Sequence, residues 1–526
     1  MKLLERGRRP LIAGIAVFLM AFGVFSVTAS QLTGYEPETA AATAGLVEEG
    51  HFWGVEDPQL PSLVAEDIGR DGHKFARTGL LQPVLQVPFF ALGDLVDHQI
   101  SEGSPYPNRL FFLWFYNPFV AALGAAALFA FVYQLRKSLR WGAAIATLFI
   151  FASIAWPYSK IGMETTFMTT VLIAFAVAAW ARRKPTPTSF AVAGLAAGAI
   201  AATKPYSAIT ILPVAIFLLP SWLALDRRDR WRTLVAAAIP LLCWAIAVGW
   251  YNWLRFESPT DFGYPEGALT LSAPLDFIGL LISPGKGLIF YSPLVVLGAL
   301  GLPKLWREDR WAVTSLTLLL AMMVCVSGAS RYWGDEVWGP RFLTSAAWAF
   351  LVPIAWWCDT AVRKKVLIGV TVLAVGVQLV GAGANYGRTV PAEQQLGGVP
   401  IYTARYAGVD PETIPYGDDP PRWIPQLSPL LLQTEGLISS QVLERIGIGS
   451  LTATYNPFEG PIHTVDWSDP AFRISPDFFW HELVPTTAAR ILAALFFLVA
   501  ISGAWVLYAC AKLARFRPGG GARGPG

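Results

Sequence analysis

The sequence predicts an all-α protein that crosses a membrane many times. Three observations carry that prediction. The 526 residues are 54% hydrophobic and only 15% charged, well under the roughly 25% charge of soluble globular chains. Apolar runs long enough to cross a bilayer recur from end to end. The segments between them alternate between basic and acidic. The 21 Trp and 16 Tyr suit membrane–water interfaces, where a ring is apolar and its polar tip is wet. No basic-aromatic tract points to nucleic acid. Cys243, Cys325, Cys358 and Cys510 lie far apart without metal-ligand spacing and read as small buried hydrophobes.

Taken in order, about twelve runs approach the ~20 residues a crossing helix needs. They lie at 11–29, 110–134, 141–158, 165–181, 188–203, 207–224, 233–254, 288–303, 311–329, 342–358, 366–383 and 491–510. The run at 80–93, LLQPVLQVPFFALG, is shorter and carries two prolines, so it reads as an interfacial or re-entrant helix. If the N-terminus is cytoplasmic, the inner connections hold about 24 of the 40 Lys+Arg and about 6 of the 37 Asp+Glu. Both termini are therefore expected in the cytoplasm. The basic start, apolar run and VTAS at 27–30 also have the form of a cleavable signal, but about 19 apolar residues exceed a usual signal core and favour a retained anchor.

Two outer connections are long and contain all five histidines. The expected division is a transmembrane core at 1–383 that includes the first outer loop 30–109, an outer loop or lid at 384–489, and a last helix with a basic tail at 490–526. The first loop opens GYEPETAAATAGLVEEG: Pro37 suits a first helical turn, the alanines propagate it and Gly50 suits its end. Glu36 then sits at a helix N-terminus, where the dipole favours a carboxylate. Glu36 and Glu38 equally fit a helix that only complements its own dipole.

The shorter outer turns each carry charge against a span end. Lys160 and Glu164 lie in WPYSKIGMET, Lys204 precedes a helix-breaking proline in AATKPYS, and Lys286 lies between glycines in ISPGKGLIFYSPL. RYWGDEVWGPRF adds Asp335, Glu336 and Arg341. Any one lysine fits snorkelling to the interface. Four cations and three acids on one rim suit a lipid phosphate held while a hydroxyl nearby loses its proton.

In this order these motifs resemble the polytopic GT-C glycosyltransferases, in particular bacterial relatives of protein mannosyltransferases and lipid A sugar transferases. YEPETAAATAGLVEEG resembles the opening of that family's first loop, with Tyr35 where an Asp is usual, so the base is Glu36 or, second, Glu38. RDGHKFARTGLLQPVLQVPFFALGD is similar to its Asp-Gly-aromatic re-entrant segment, which brings in Asp71. YSKIGMETTF is similar to its Tyr-Ser-Lys turn, with Tyr158, Lys160 and Glu164. TKP at 203–205, SPGKGLIFYSP at 283–293 and YWGDEVWGPRF at 332–342 resemble later members of the series. The resemblance covers roughly residues 11 to 360 and implies a GT-C-like fold. It implies transfer from a polyprenyl-phosphate sugar to a hydroxyl of a glycolipid, polysaccharide or protein, at the outer face of a bacterial plasma membrane.

Phosphate leaves without protonation, so one base suffices where a glycosidase needs two carboxylates. On this reading Glu36 takes the acceptor proton. Lys204, Lys286 and Arg341 hold the phosphate, Arg341 in bidentate fashion. Asp71, Lys160, Glu164, Asp335 and Glu336 line the substrate site. The chemistry requires no metal; a divalent cation is the one cofactor left open, with Asp335 and Glu336 as its carboxylates. A twelve-span secondary transporter fits the span count, but no repeated half is visible and the charges avoid mid-membrane. A polymerase or ligase of lipid-linked glycans shares the outer-face chemistry.

Overall fold

A computed structural model describes residues 8–30, 36–54, 67–68, 72–76, 78–96, 108–263, 274–329, 337–384, 389–396, 423–455, 463–484 and 486–513. Among them, seven helices are long and apolar enough to cross a membrane: Arg9–Val27, Phe111–Arg136, Gly162–Arg183, Arg227–Phe256, Arg310–Gly328, Ala361–Gly383 and Thr487–Lys512. The architecture is therefore that of an all-α polytopic membrane protein. Each of the seven coincides with an expected span. The other five expected spans are shorter or broken. Leu139–Ala152, Pro187–Thr203 and Ser207–Leu223 are apolar but of 10–17 residues. The run 288–303 divides at Ser292–Pro293 into Leu288–Tyr291 and Leu294–Glu308. The run 342–358 alternates between short 3-10 and α turns from Arg341 to Trp357. Pro293 and Pro353 stand at the starts of resumed helices, where a missing N–H costs least.

Gly162–Arg183 is the central helix. Buried residues make up 83% of its apolar window, against 11% for Arg227–Phe256 at the periphery. It packs on the helix Tyr116–Arg136 and on Pro187–Thr203, and the latter is covered by Arg227–Phe256. The first and last helices lie side by side. A Cβ on Gly23 would fall 2.6 Å from Ala500 N, and one on Gly503 would fall 2.5 Å from Met20 N. Glycine at both positions is what lets the two backbones meet.

The cysteine expectation holds for two of four: Cys358 and Cys510 are buried, but Cys243 and Cys325 are exposed. Both exposed thiols lie on helices of spanning length, where an outward face meets an apolar phase and a weakly polar thiol loses nothing.

The segment after the first helix forms the expected helix. Glu36–Ala44 continues as a π turn to Glu49 and ends on Gly50 at φ 75°, the left-handed cap for which glycine is suited. The proline-bearing run becomes the helix Leu81–Leu95, which packs against Glu36–Ala44. The late segment builds its own small core from Leu396, Leu427, Leu432, Val465, Trp467 and Ile474. There Pro429–Ile438 packs beside the antiparallel pair Thr452–Tyr455 and His463–Asp466.

Candidate active site

The turn that enters the central helix organises the site. Lys160 precedes the helix, Gly162 begins it and Glu164 lies in its first turn. The Glu36 carboxylate, only 2% exposed, accepts from the Gly162 backbone N–H and from Asn117 Nδ2. An N–H at a helix start is matched to an anion, because those donors have no partner within the helix. Asn117 also donates to Lys160 O at 3.2 Å, so one amide ties the carboxylate to the turn.

Two residues along, Glu164 holds two cations. Its Oε1 lies 2.7 Å from Lys204 Nζ and 3.5 Å from Arg341 Nε, and both Lys204 and Glu164 are buried. Lys204 arrives where its proline requires: the helix Pro187–Thr203 stops, Lys204 caps it and a 3-10 turn starts at Pro205. Its ammonium lies 5.1 Å from the Phe342 ring, and the Arg341 guanidinium 4.7 Å from the same ring. Glu164 thus gathers two cations close to the turn that holds Glu36.

Lys286 meets the start of the segment that ends in Arg341. Its ammonium donates to Val337 O, and its own N–H to Ser283 Oγ at 3.1 Å. Tyr158 donates to Trp338 O at 2.8 Å. The stretch 337–341 is thus held by Lys286, Tyr158 and Glu164 in turn.

The structure therefore joins Glu36, Lys160, Glu164, Lys204 and Arg341 through a single turn, with Lys286 one short segment away. Glu38 is buried on the same helix as Glu36. Asp71, Asp335 and Glu336 lie outside the described residues. Among the described residues no group of three or more His, Cys, Asp or Glu could hold a metal ion.

Four polar residues of the site escape the sequence reading. Asn117 sits inside an apolar run. Gln82, on the Leu81–Leu95 helix, is fully buried and has no hydrogen-bond partner among the described residues. A Cβ on Gly162 would lie 2.6 Å from Glu36 Oε1, closer still to Gln82 Nε2 and 3.0 Å from Asn117 Oδ1, which places these three side chains around one point. Arg255, 1% exposed, donates to Ala76 O at 3.0 Å and Thr78 O at 3.2 Å, fastening the segment after the first helix to the bundle. Asp477, from the late segment, pairs with Lys160 at 2.8 Å. The available signals were weak: an amide in FYNPFV, and a single acid in SPDFFW.

No family model matches the chain, and no curated protein does. Among solved structures, the chain is similar to the crystal structure of the Archaeoglobus fulgidus oligosaccharyltransferase complex with zinc and sulfate. That similarity has a TM-score of 0.46 at 13% identity and covers 69% of this chain and 51% of that one. The chain spans about half the length of that structure.

Proposed function

We propose that the protein is a GT-C-type membrane glycosyltransferase. It moves a sugar from a polyprenyl-phosphate donor to a hydroxyl of a cell-envelope glycolipid, polysaccharide or protein at the outer face of a bacterial inner membrane, with both termini cytoplasmic. The observation that carries this reading is the link from the Glu36 carboxylate through Gly162 to the Lys204–Glu164–Arg341 cluster. A proton acceptor and an anion clamp stand on one turn.

Glu36 takes the acceptor proton as the hydroxyl oxygen bonds to the anomeric carbon, and Glu38 is the alternative base. The anomeric C–O bond to phosphate breaks with its electron pair on the phosphate, inverting the centre. Lys204, Arg341 and Lys286 stabilise the charge that gathers there, and dehydration of the buried lysines strengthens the effect. Glu164 competes with phosphate for Lys204 and Arg341, so it keeps them in place before the donor arrives. Lys160 and Glu164 complete the substrate contacts, with Asp71, Asp335 and Glu336 as further lining residues. No step requires a metal.

Glu36→Gln tests the assignment. The amide oxygen still accepts from Gly162 and Asn117, but proton uptake is lost. Transfer from a polyprenyl-phosphate sugar should fall by about 10²–10⁴, while Glu38→Gln remains active. Near wild-type transfer by the Glu36 variant would remove that residue from the chemistry.

A further inference from the structure

We propose that Asp477 is a carbohydrate-binding residue: with one oxygen fixed by Lys160, its other oxygen accepts a sugar hydroxyl. The late outer segment would then complete the site rather than merely cover it. This inference rests on the glycosyltransferase reading and adds a specificity residue to it.

Asp477 is 3% exposed and Lys160 7%. Asp477 Oδ1 accepts from Lys160 Nζ at 2.8 Å, whereas Oδ2 is buried and has no hydrogen-bond partner among the described residues. Buried carboxylate oxygens are rarely left without a donor, and each exception calls for a group that supplies one. Lys160 already balances the charge, so the missing group is a neutral O–H rather than a second cation. Glu164 repeats the pattern: Oε1 is held by Lys204 and Arg341, and buried Oε2 has no partner among the described residues. Two carboxylates held from one turn, each with one oxygen tied and one open, match a ligand with several hydroxyls.

The segment that delivers Asp477 is anchored. Phe479 N donates to Ala29 O at 2.9 Å, and Trp480 Nε1 to Val27 O at 2.8 Å. Phe479 is buried against Phe111 and Phe115. Phe478 lies 5.2 Å from the Lys160 ammonium and stacks on Trp480 at 5.6 Å, both half-buried. Half-buried aromatic faces beside a carboxylate suit the apolar C–H face of a sugar ring. The link to the base is short: Asn117 donates both to Glu36 and to the carbonyl of Lys160.

Binding to the full-length protein in lipid nanodiscs tests the proposal. The probes are bare undecaprenyl phosphate, a panel of undecaprenyl-phosphate hexoses and pentoses, and octyl glycosides of the same sugars. Wild type should bind at least one sugar-bearing lipid more tightly than the bare phosphate. Asp477→Asn should reduce that sugar-dependent gain about tenfold, the worth of one hydrogen bond to a charged group, and leave bare phosphate binding unchanged. The double variant Lys160→Met/Asp477→Leu removes the pair without stranding a charge. It should stay monodisperse and lose the same gain. A loss seen with the phosphate donors assigns the hydroxyl to the donor sugar; a loss confined to the octyl glycosides assigns it to the acceptor. Equal weakening of all probes, or none, overturns the Asp477 assignment. A wild type that binds bare phosphate but gains nothing from any sugar overturns that assignment alone, and one that binds no probe overturns the parent reading as well.

Discussion

The central helix Gly162–Arg183 carries a buried carboxylate at one end and a half-buried arginine at the other, about 27 Å apart at 1.5 Å per residue. At the first end Glu164 and Lys204 meet at 2.7 Å with side chains 1% and 2% exposed. At the other, Arg182 meets Asp309 at 2.6 Å with side chains 21% and 20% exposed, and Lys304 meets Asp359 at 3.0 Å with side chains 45% and 41% exposed. Bond lengths barely differ; surroundings do. An exposed pair gains and loses almost nothing by forming. A buried pair must recover a large dehydration cost, and apolar residues of the same size would often be at least as stable. The Lys204–Glu164 pair is thus a poor device for stability alone, which is why the proposed function gives it a role at the site.

The strongest test removes Glu164's charge. Glu164→Gln removes the carboxylate that Lys204 and Arg341 share and should destabilise the protein by about 3–5 kcal/mol, read from unfolding in detergent. Glu164→Leu/Lys204→Met should recover most of that stability while losing transfer. If the double variant kept its activity, the cluster would be structural only.

Gly162→Ala is next in size. The added methyl would press on Glu36, Gln82 and Asn117 together. Overpacking of this kind costs about 1–3 kcal/mol, and it would also push the carboxylate off the helix N–H. A loss of transfer much larger than the loss of stability would show that Glu36 geometry matters. Parallel losses would break the contrast between the two ends of the helix.

Local features were legible in the sequence, and long-range pairings were not. YEPETAAATAGLVEEG announced a helix from Glu36 to a glycine stop, and it forms with Gly50 in the left-handed region. The proline after Lys204 announced a helix end, which falls at Thr203. Both signals act within a few residues. The Lys160–Asp477 pair spans 317 positions, and nothing near Asp477 marks it out. Asn117 was hidden because one amide scarcely alters the hydropathy of a run. The broken helix at 342–358 looked like a plain span, since apolar content reports burial and not continuity.

The late segment repeats the contrast on a smaller scale. Burial raises the Glu435 carboxyl above its ordinary value. Exposed Asp466 lies below its ordinary value, chiefly through the Ser468 backbone N–H, then the hydroxyls of Ser468 and Ser450. Glu435 binds its proton more tightly when folded, so its contribution is present below the ordinary Glu value and is lost as pH rises through the raised one. Asp466 does the reverse: its contribution is present above the ordinary Asp value and is lost as pH falls through the lowered one. Thermal unfolding across about pH 3 to 7 should flatten on the upper side in Glu435→Gln and on the lower side in Asp466→Asn. One shared slope change for both would contradict the opposed environments.

The smallest effect belongs to Asp359. Its carboxyl is held below the ordinary value mainly by the Lys304 hydrogen bond, with Arg363 adding to it at 2.8 Å. Water already solvates all three groups, so Asp359→Asn exchanges one well-hydrated arrangement for another. The unfolding midpoint should fall only slightly at neutral pH, and transfer should be unaffected. Any shift that does appear should vanish as salt is raised, because exposed charges are screened within about 8 Å at physiological ionic strength. Glu164→Gln should keep its full penalty under the same salt, since ions do not reach a site that water barely enters. Salt is therefore the variable that separates the two ends of the central helix most cheaply: equal screening at both would mean that the Lys204–Glu164 pair is wetter than its burial indicates, and the case for a dehydrated anion clamp would weaken with it.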